Sequence, residues 1–356
     1  MQGPSHPRPA ATASRRAVIA SGLATLVSSQ ARAQGAPPIP VRVGFIPVAG
    51  SGQLFVLERE GWARAAGLDI RTTVFESGPA MIQAFGSGTL DVYVAGVAPL
   101  AVARSRGLDV RVVAATAIEE LAFVSAGKLT EAFAAAPSPA AAFAAFFAAQ
   151  GRKARLATQP LGSVPNTTLQ HWLWEVAKID RAHAEIVPIG IDATQQALLA
   201  AAVDGGTLRE PALTITSDRN PQVKLQATGG QMFENQPGGV VAVTGAFVKA
   251  SPDAVQSLVD LVVRATDLIQ KEPARAAPHI EFYLGKGLVP TSVIERALRS
   301  PASRFVADPR VITAAVARMQ DFQVKIGALQ SAASLEGLFD ASYYERAVAK
   351  AGPTRS

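Results

Sequence analysis

The stretch LDIRTTVFESGPAMIQAF, residues 68–85, reads as a strand delivered straight into a helix. Leu68, Ile70 and Val74 fall among Asp69, Arg71 and Thr72–Thr73, the alternation of a strand at least half buried. From Ala80 to Phe85 the spacing is helical. Pro79 suits the first helical position, where its missing N–H is no loss and its fixed φ is already helical. Ser77 brings a hydroxyl to the unpaired N–H groups of the helix start, and Gly78 lets backbone approach a ligand. A strand that ends in Ser-Gly and turns into a helix is a ready site for an anion or a dipole. A plain strand-to-helix turn has the same pattern, so the choice rests on the rest of the chain.

Outward from this stretch the same unit repeats. Val41–Ile46 alternates like a strand, and the loop Val48–Gly52 leads into a helix read as Gln53–Ala66, closed by Gly67. Val92–Ala95 and Val110–Ala114 are further strands, the first followed by Gly96-Val97-Ala98-Pro99 and a helix to about Arg106. Regular alternation of strand and helix predicts an α/β fold with a mainly parallel sheet and right-handed crossovers. Ligands of such sheets bind beyond the carboxyl ends of the strands, beside helix N-termini. Three loops lie there: Ala49–Gly52, Ser77–Pro79 and Gly96–Pro99.

Nucleotide and catalytic signatures do not fit these loops. Gly50-Ser51-Gly52 follows the first strand, but the third glycine of a dinucleotide fingerprint would fall on Phe55. There is no Walker loop, no G-x-S-x-G elbow and no H-E-x-x-H. The chain has no cysteine, which removes disulfides, thiolate metal sites and cysteine nucleophiles together. His6, His171, His183 and His279 have no metal-ligand spacing to one another. No cofactor and no metal are expected.

The 356 residues suffice for two lobes, and 49% hydrophobic against 17% charged residues allows large cores. A net charge of +6 and a pI near 9.8 would suit nucleic acid, but the charge is misplaced for that. Arg8, Arg15, Arg16 and Arg32 fall in the first 33 residues, which hold no acid; taking them from the 34 basic residues leaves 30 against 28 acidic. No Lys/Arg run remains, and a nucleic-acid partner is excluded on that ground. Residues 1–33 read instead as an export signal: Ser14-Arg15-Arg16 is a twin-arginine pattern, Ala17–Val27 a short apolar run, and Ala31-Arg32-Ala33 a cleavage site. Cleavage after Ala33 would start the mature chain at Gln34. The apolar run is well short of the ~20 residues of a spanning helix.

The second half repeats the design. Ala132–Gln150, rich in Ala and Phe and low in charge, is read as an amphipathic covering helix, with Ser138-Pro139 as N-cap and first helical position and Phe143, Phe146 and Phe147 on one face. Arg155–Gln159 is a strand, and Gly162-Ser163-Val164-Pro165-Asn166 leads into a helix to about Lys178. Ala184–Ile189 is the next strand, and Asp192 is expected to cap the helix after it. Arg209-Glu210-Pro211 places a base and an acid beside a rigid turn, with an exposed salt-bridged turn as its plainest reading. Val240–Val243 and Phe247-Val248 read as a strand passing back, and the C-terminal third is mostly helical, beginning with a long helix from Ser251-Pro252 to about Lys271.

In ordered series, VRVGFIP, EREGWARAAGLDI, FESGPAMIQAFGSGTLDVYVAGVAPL, ARSRGLDVRVVA, RLATQPLGSVPN and REP resemble the periplasmic binding proteins of ABC importers for sulfonates, taurine, nitrate and bicarbonate. The likeness covers most of residues 41–248. Two departures stand out: Arg209 replaces the tryptophan often found before Glu-Pro, and the segment after Pro211 is unlike the family. The resemblance implies the two-lobe, type II periplasmic-binding fold, shared with the thiamine-pyrimidine synthases. Lobe one would comprise residues 41–121 and 244–350, and lobe two residues 122–243. It implies ligand contacts at Ser51, Gln53, Ser77, Gly78, Ala98, Pro99, Ser163, Val164, Asn166, Arg209 and Glu210. The expected role is that of a monomeric periplasmic protein, not an enzyme, which captures a small anionic molecule and delivers it to an ABC permease in the inner membrane. A pyrimidine or aromatic-acid ligand, or an exported enzyme on the same fold, are the alternatives. The cysteine-dependent enzymes of this fold are excluded by composition.

Overall fold

The computed structural model describes Gly3 and residues 37–351; the export-signal reading of residues 1–33 falls outside that range except at Gly3. Ten strands form two five-stranded sheets. They are β1 (Ile39–Phe45), β2 (Leu68–Val74), β3 (Val92–Gly96), β4 (Val110–Ala115), β5 (Ala122–Ser125), β6 (Ala154–Thr158), β7 (Ala184–Pro188), β8 (Gly205–Leu208), β9 (Lys224–Thr228) and β10 (Gly239–Thr244). The first sheet has the order β2-β1-β3-β10-β4 and the second β9-β5-β8-β6-β7. A two-residue ribbon, Ala117–Ile118 against Arg304–Phe305, lies apart from both.

Strands β2, β1 and β3 pair in parallel, as do β8, β6 and β7. Each sheet has one strand antiparallel to its neighbours: β10 in the first, between β3 and β4, and β5 in the second, between β9 and β8. These are the strands that follow the two passages of the chain between sheets. The chain leaves one sheet at its carboxyl edge and enters the next at that sheet's carboxyl edge, so the entering strand must run the opposite way. The strand at Val240–Val243 is therefore an interior strand of the first sheet, and the return passage precedes Gly239. The sequence reading placed that return at residue 244, one strand too late.

Other local differences have equally local causes. Strand β2 pairs only with β1, and Arg71–Val74 is exposed, so it is an edge strand rather than a half-buried one. The helix expected over 53–66 is two pieces, Gly52–Arg59 and Trp62–Ala65, because Gly61 turns left-handed between them (φ 74). Phe247-Val248 belongs to the helix Gly245–Ala250, capped by the Thr244 hydroxyl. Gly190, not Asp192, occupies the cap of Ile191–Leu199; Asp192 lies in its first turn, where its charge still suits the helix dipole. The helix from Val164 widens after His171 into a π-turn, Trp172–Val176. Ser138 caps Pro139–Gln150 as read, accepting from the Ala141 N–H at 3.2 Å, and Phe143 and Phe146 are buried.

The long helix Pro252–Lys271 covers one face of the first sheet. Val255, Leu258, Val259 and Val262 are at most 2% exposed, and each such side chain contributes about 1.5–3 kcal/mol on burial. The helix Thr313–Lys325 reaches the second lobe: Gln323 Nε2 donates to the Gly162 carbonyl at 3.3 Å, and Lys325 pairs with Glu175 at 2.6 Å. Among the described residues no helix is long and apolar enough to cross a membrane.

Candidate functional site

The carboxyl ends of the parallel strands face one another across the two passages. From the first sheet come the turn after β1, the Ser77 turn after β2 and Gly96 at the end of β3. From the second come Gln159 after β6 and Arg209 after β8. Ser77 caps the helix Gly78–Gly86, its hydroxyl 3.4 Å from the Ala80 N–H. Ser163 caps Val164–His171 in the same way, 3.3 Å from the Asn166 N–H. Each helix thus begins at the cleft with a serine on its axis and a proline in its first turn. Helix starts of this kind present N–H groups and about half a positive charge to whatever lies before them.

The lobes are shut on each other. A methyl placed on Gly96 would lie 2.7 Å from Val164 Cγ2 and 3.4 Å from Arg209 Nη2, both on the second lobe. One on Gly78 would meet the Tyr93 hydroxyl at 2.5 Å and Pro99 Cγ at 2.8 Å. The Tyr93 hydroxyl donates to the Gly96 carbonyl at 2.7 Å, and burial pushes its pKa far up, against a smaller pull from Arg209. The Ala49 N–H donates across to the Glu210 carbonyl at 2.8 Å. Between the lobes remains a cavity of about 10 Å³ that is lined by Gly78, Pro99, Ser163, Val164 and Arg209, with Ile46, Gly96, Gln159 and Pro165. A second cavity of about 220 Å³ adjoins it, with Asp192, Gln195, Glu210, Arg219 and Lys286 among its walls. Gln159 and Arg209 line both.

Arg209 dominates the electrostatics. The plainest sequence reading, an exposed salt-bridged turn, does not hold: Arg209 and Glu210 are 5% and 2% exposed. Nor do they pair with each other. Arg209 Nε lies 3.2 Å from Glu120 Oε1, and both side chains are 4% exposed. The alignment is too poor for an N–H···O bond, so all three guanidinium nitrogens lack an acceptor among the described residues. Glu210 accepts instead from the Thr214 N–H and hydroxyl, each at 3.0 Å. Burial pushes its pKa up, while the hydrogen bonds from Ser300 and Thr214 partly oppose the shift.

The remaining expected contacts are placed elsewhere. Ser51 Oγ donates to the Ile46 carbonyl at 2.8 Å. Gln53 Nε2 donates to the Thr116 carbonyl at 2.8 Å and to Thr266 Oγ1 at 3.2 Å. Both side chains are buried within the first lobe and line neither cavity of the cleft. Ala98 is buried behind Pro99 and also lines neither. Asn166 stands one step back: its Nδ2 donates to the Gln159 carbonyl at 2.9 Å and its Oδ1 accepts from Gln170 at 2.7 Å. Gln159 was missed as a site residue, although a polar residue at the carboxyl end of a parallel strand is the available signal. Glu120, on the passage between sheets, has no such signal. Among the described residues no three His, Cys, Asp or Glu side chains are grouped to hold a metal ion.

The profile of the NMT1-like family matches residues 34–281. The chain belongs to the NMT1-like family. Its fold is that of the periplasmic binding proteins. The nitrate-binding protein NrtA from Synechocystis PCC 6803 superposes with a TM-score of 0.74 at 14% identity, covering 90% of each chain. The alkanesulfonate-binding protein SsuA from Xanthomonas axonopodis pv. citri, solved bound to MOPS, gives 0.68 at 18% identity over 86% of this family member and 99% of that chain. A ligand-binding component of an ABC-type import system from Staphylococcus aureus, solved with zinc bound, gives 0.70 at 14% over 87% and 99%. None of the curated proteins compared matches the chain significantly.

Proposed function

We propose that this chain is an extracytoplasmic solute-binding protein that captures a small organic anion between its lobes and delivers it to an ABC permease of the inner membrane. One observation carries the reading: a buried guanidinium without an acceptor, Arg209, stands between two serine-capped helix starts that belong to opposite sheets. Charge-assisted hydrogen bonds from an arginine fork and from helix N–H groups suit a sulfonate, carboxylate or nitrate-like head. The cavity of about 220 Å³ beyond Arg209 and Gln159 has room for the rest of such a molecule. The lobes, residues 39–118 with 239–351 and residues 122–228, open and close on the two passages between sheets. The role is capture rather than catalysis, by a monomer in the periplasm after export and cleavage of residues 1–33.

Isothermal titration of the mature chain and of Arg209→Met with methanesulfonate, nitrate and acetate tests this. The expected result is one site per chain in the wild type and at least a tenfold loss in the variant. Equal affinity in both would remove Arg209 from the site.

A further inference from the structure

The Arg209 guanidinium is held from behind by a residue that touches neither cavity. Glu120 lies on the passage from the first sheet to the second, between the ribbon strand Ala117–Ile118 and β5. It is wedged by two glycines that leave no room for a side chain. A methyl on Gly50 would collide with Glu120 Oε2, and one on Gly238 would lie 3.1 Å from its Cγ. The carboxylate meets Arg209 at Nε, and Nη2 lies on the side of Gly96 and the cleft. Oε2 itself makes no hydrogen bond.

Resting on the anion-binding reading, we propose that Glu120 is the positioning residue for Arg209 and, by cancelling its charge, makes the site select singly charged oxyanions over doubly charged ones. Arg209 is the one buried basic residue among the described residues. With Glu120 opposite it, the pair is neutral. Arg209 is the one charged residue that lines the small cavity between the helix starts, so what is left to meet an anionic head there is the two helix starts, Gly78–Gly86 and Val164–His171, each about +0.5; Asp192, Glu210, Arg219 and Lys286 line the adjoining cavity. One negative charge is balanced there. A second would be buried without a counter-charge, which is strongly unfavourable.

The test uses the mature chain titrated with methanesulfonate and nitrate, both singly charged, and with sulfate, doubly charged at neutral pH. Wild type is expected to bind the monoanions at least tenfold tighter than sulfate. Glu120→Gln keeps the shape and removes the charge, and should raise the ratio of sulfate to methanesulfonate affinity by about tenfold or more, on the scale of a buried charge pair. A purely structural role would weaken both anions equally and leave the ratio alone. Glu120→Asp keeps the charge but withdraws it from Arg209; it should weaken methanesulfonate about tenfold with the ratio retained, and it decides the matter alone if Glu120→Gln does not fold. Wild type binding none of the three anions would overturn the functional reading, and this inference with it. Wild type binding monoanions while Glu120→Gln leaves the ratio unchanged, or Glu120→Asp leaves the affinity unchanged, would overturn this inference only.

Discussion

Gly96→Ala separates closure of the lobes from their stability. Gly96 ends β3 with φ outside the left-handed region, so the backbone accepts an alanine there. The new methyl would stand 2.7 Å from Val164 Cγ2, 3.2 Å from Val164 Cβ and 3.4 Å from Arg209 Nη2. All three neighbours belong to the second lobe. Ordinary carbon–carbon contact lies at about 3.5–4.0 Å, so the lobes must separate by the better part of an ångström or Val164 must leave its rotamer. Overpacking of this kind costs about 1–3 kcal/mol, and here the cost falls on the closed form alone. It translates into about 5- to 150-fold weaker binding of any ligand that requires closure. Calorimetric titration of methanesulfonate measures the loss, and the melting midpoint of the ligand-free variant serves as control. The expected pattern is weakened binding with a ligand-free midpoint close to wild type. Undiminished affinity would show that the ligand does not need Gly96 and Val164 in contact, and the clamp would have to be abandoned.

Other expectations follow from the same geometry. Removing the cation alone, as in Arg209→Met, leaves the Glu120 carboxylate buried without a partner and should lower stability to urea by about 3–5 kcal/mol, whereas Arg209→Met combined with Glu120→Met should recover much of it without recovering anion affinity; equal melts for all three proteins would deny the pair. Ser77→Ala and Ser163→Ala should each cost about 1 kcal/mol in chemical denaturation through loss of a helix cap, and both should also weaken ligand binding; a loss of stability without a loss of affinity would make these serines structural only. Glu60, the C-cap of the helix Gly52–Arg59, holds Arg275 at 2.8 Å and His279 at 2.9 Å. The hydrogen bond from Arg275, helped by His279 and opposed by burial, keeps its pKa below the ordinary carboxylate range. A carboxylate depressed in the folded state contributes stability above its unfolded pKa, near 4.3, and loses that contribution as pH falls through the lower folded value. Glu60→Gln should therefore flatten the acid limb of the stability curve below about pH 4–5; a limb of unchanged steepness would exclude this cluster.

What the sequence made legible was local. Ser77-Gly78-Pro79 and Ser163-Val164-Pro165 stand out because cap hydroxyl, glycine or small residue and N-terminal proline are near neighbours in the chain, and both form helix starts at the cleft. The alternation of strand and helix gave the α/β class for the same reason. What stayed hidden depends on partners far apart in sequence. Nothing near residue 240 says that this strand inserts between β3 and β4, since its neighbours lie more than a hundred residues away. Ser51 and Gln53 sit at a helix start like the others, but their side chains turn inward to Ile46 and Thr116, which local pattern does not encode. Arg209 and Glu120 are 89 positions apart, and burial makes a single element of them.

Whether a small oxyanion is held between the two lobes is read out by thermal melting of the mature chain against a panel of small sulfonates, nitrate, bicarbonate and carboxylates. A ligand present at about 100 times its Kd adds about 2.7 kcal/mol to the folded state, a rise of several degrees for a protein of this size. At least one singly charged oxyanion is expected to raise the midpoint by that amount, and the rise should disappear in Arg209→Met. A panel in which no oxyanion moves the wild-type midpoint would contradict oxyanion binding between the lobes.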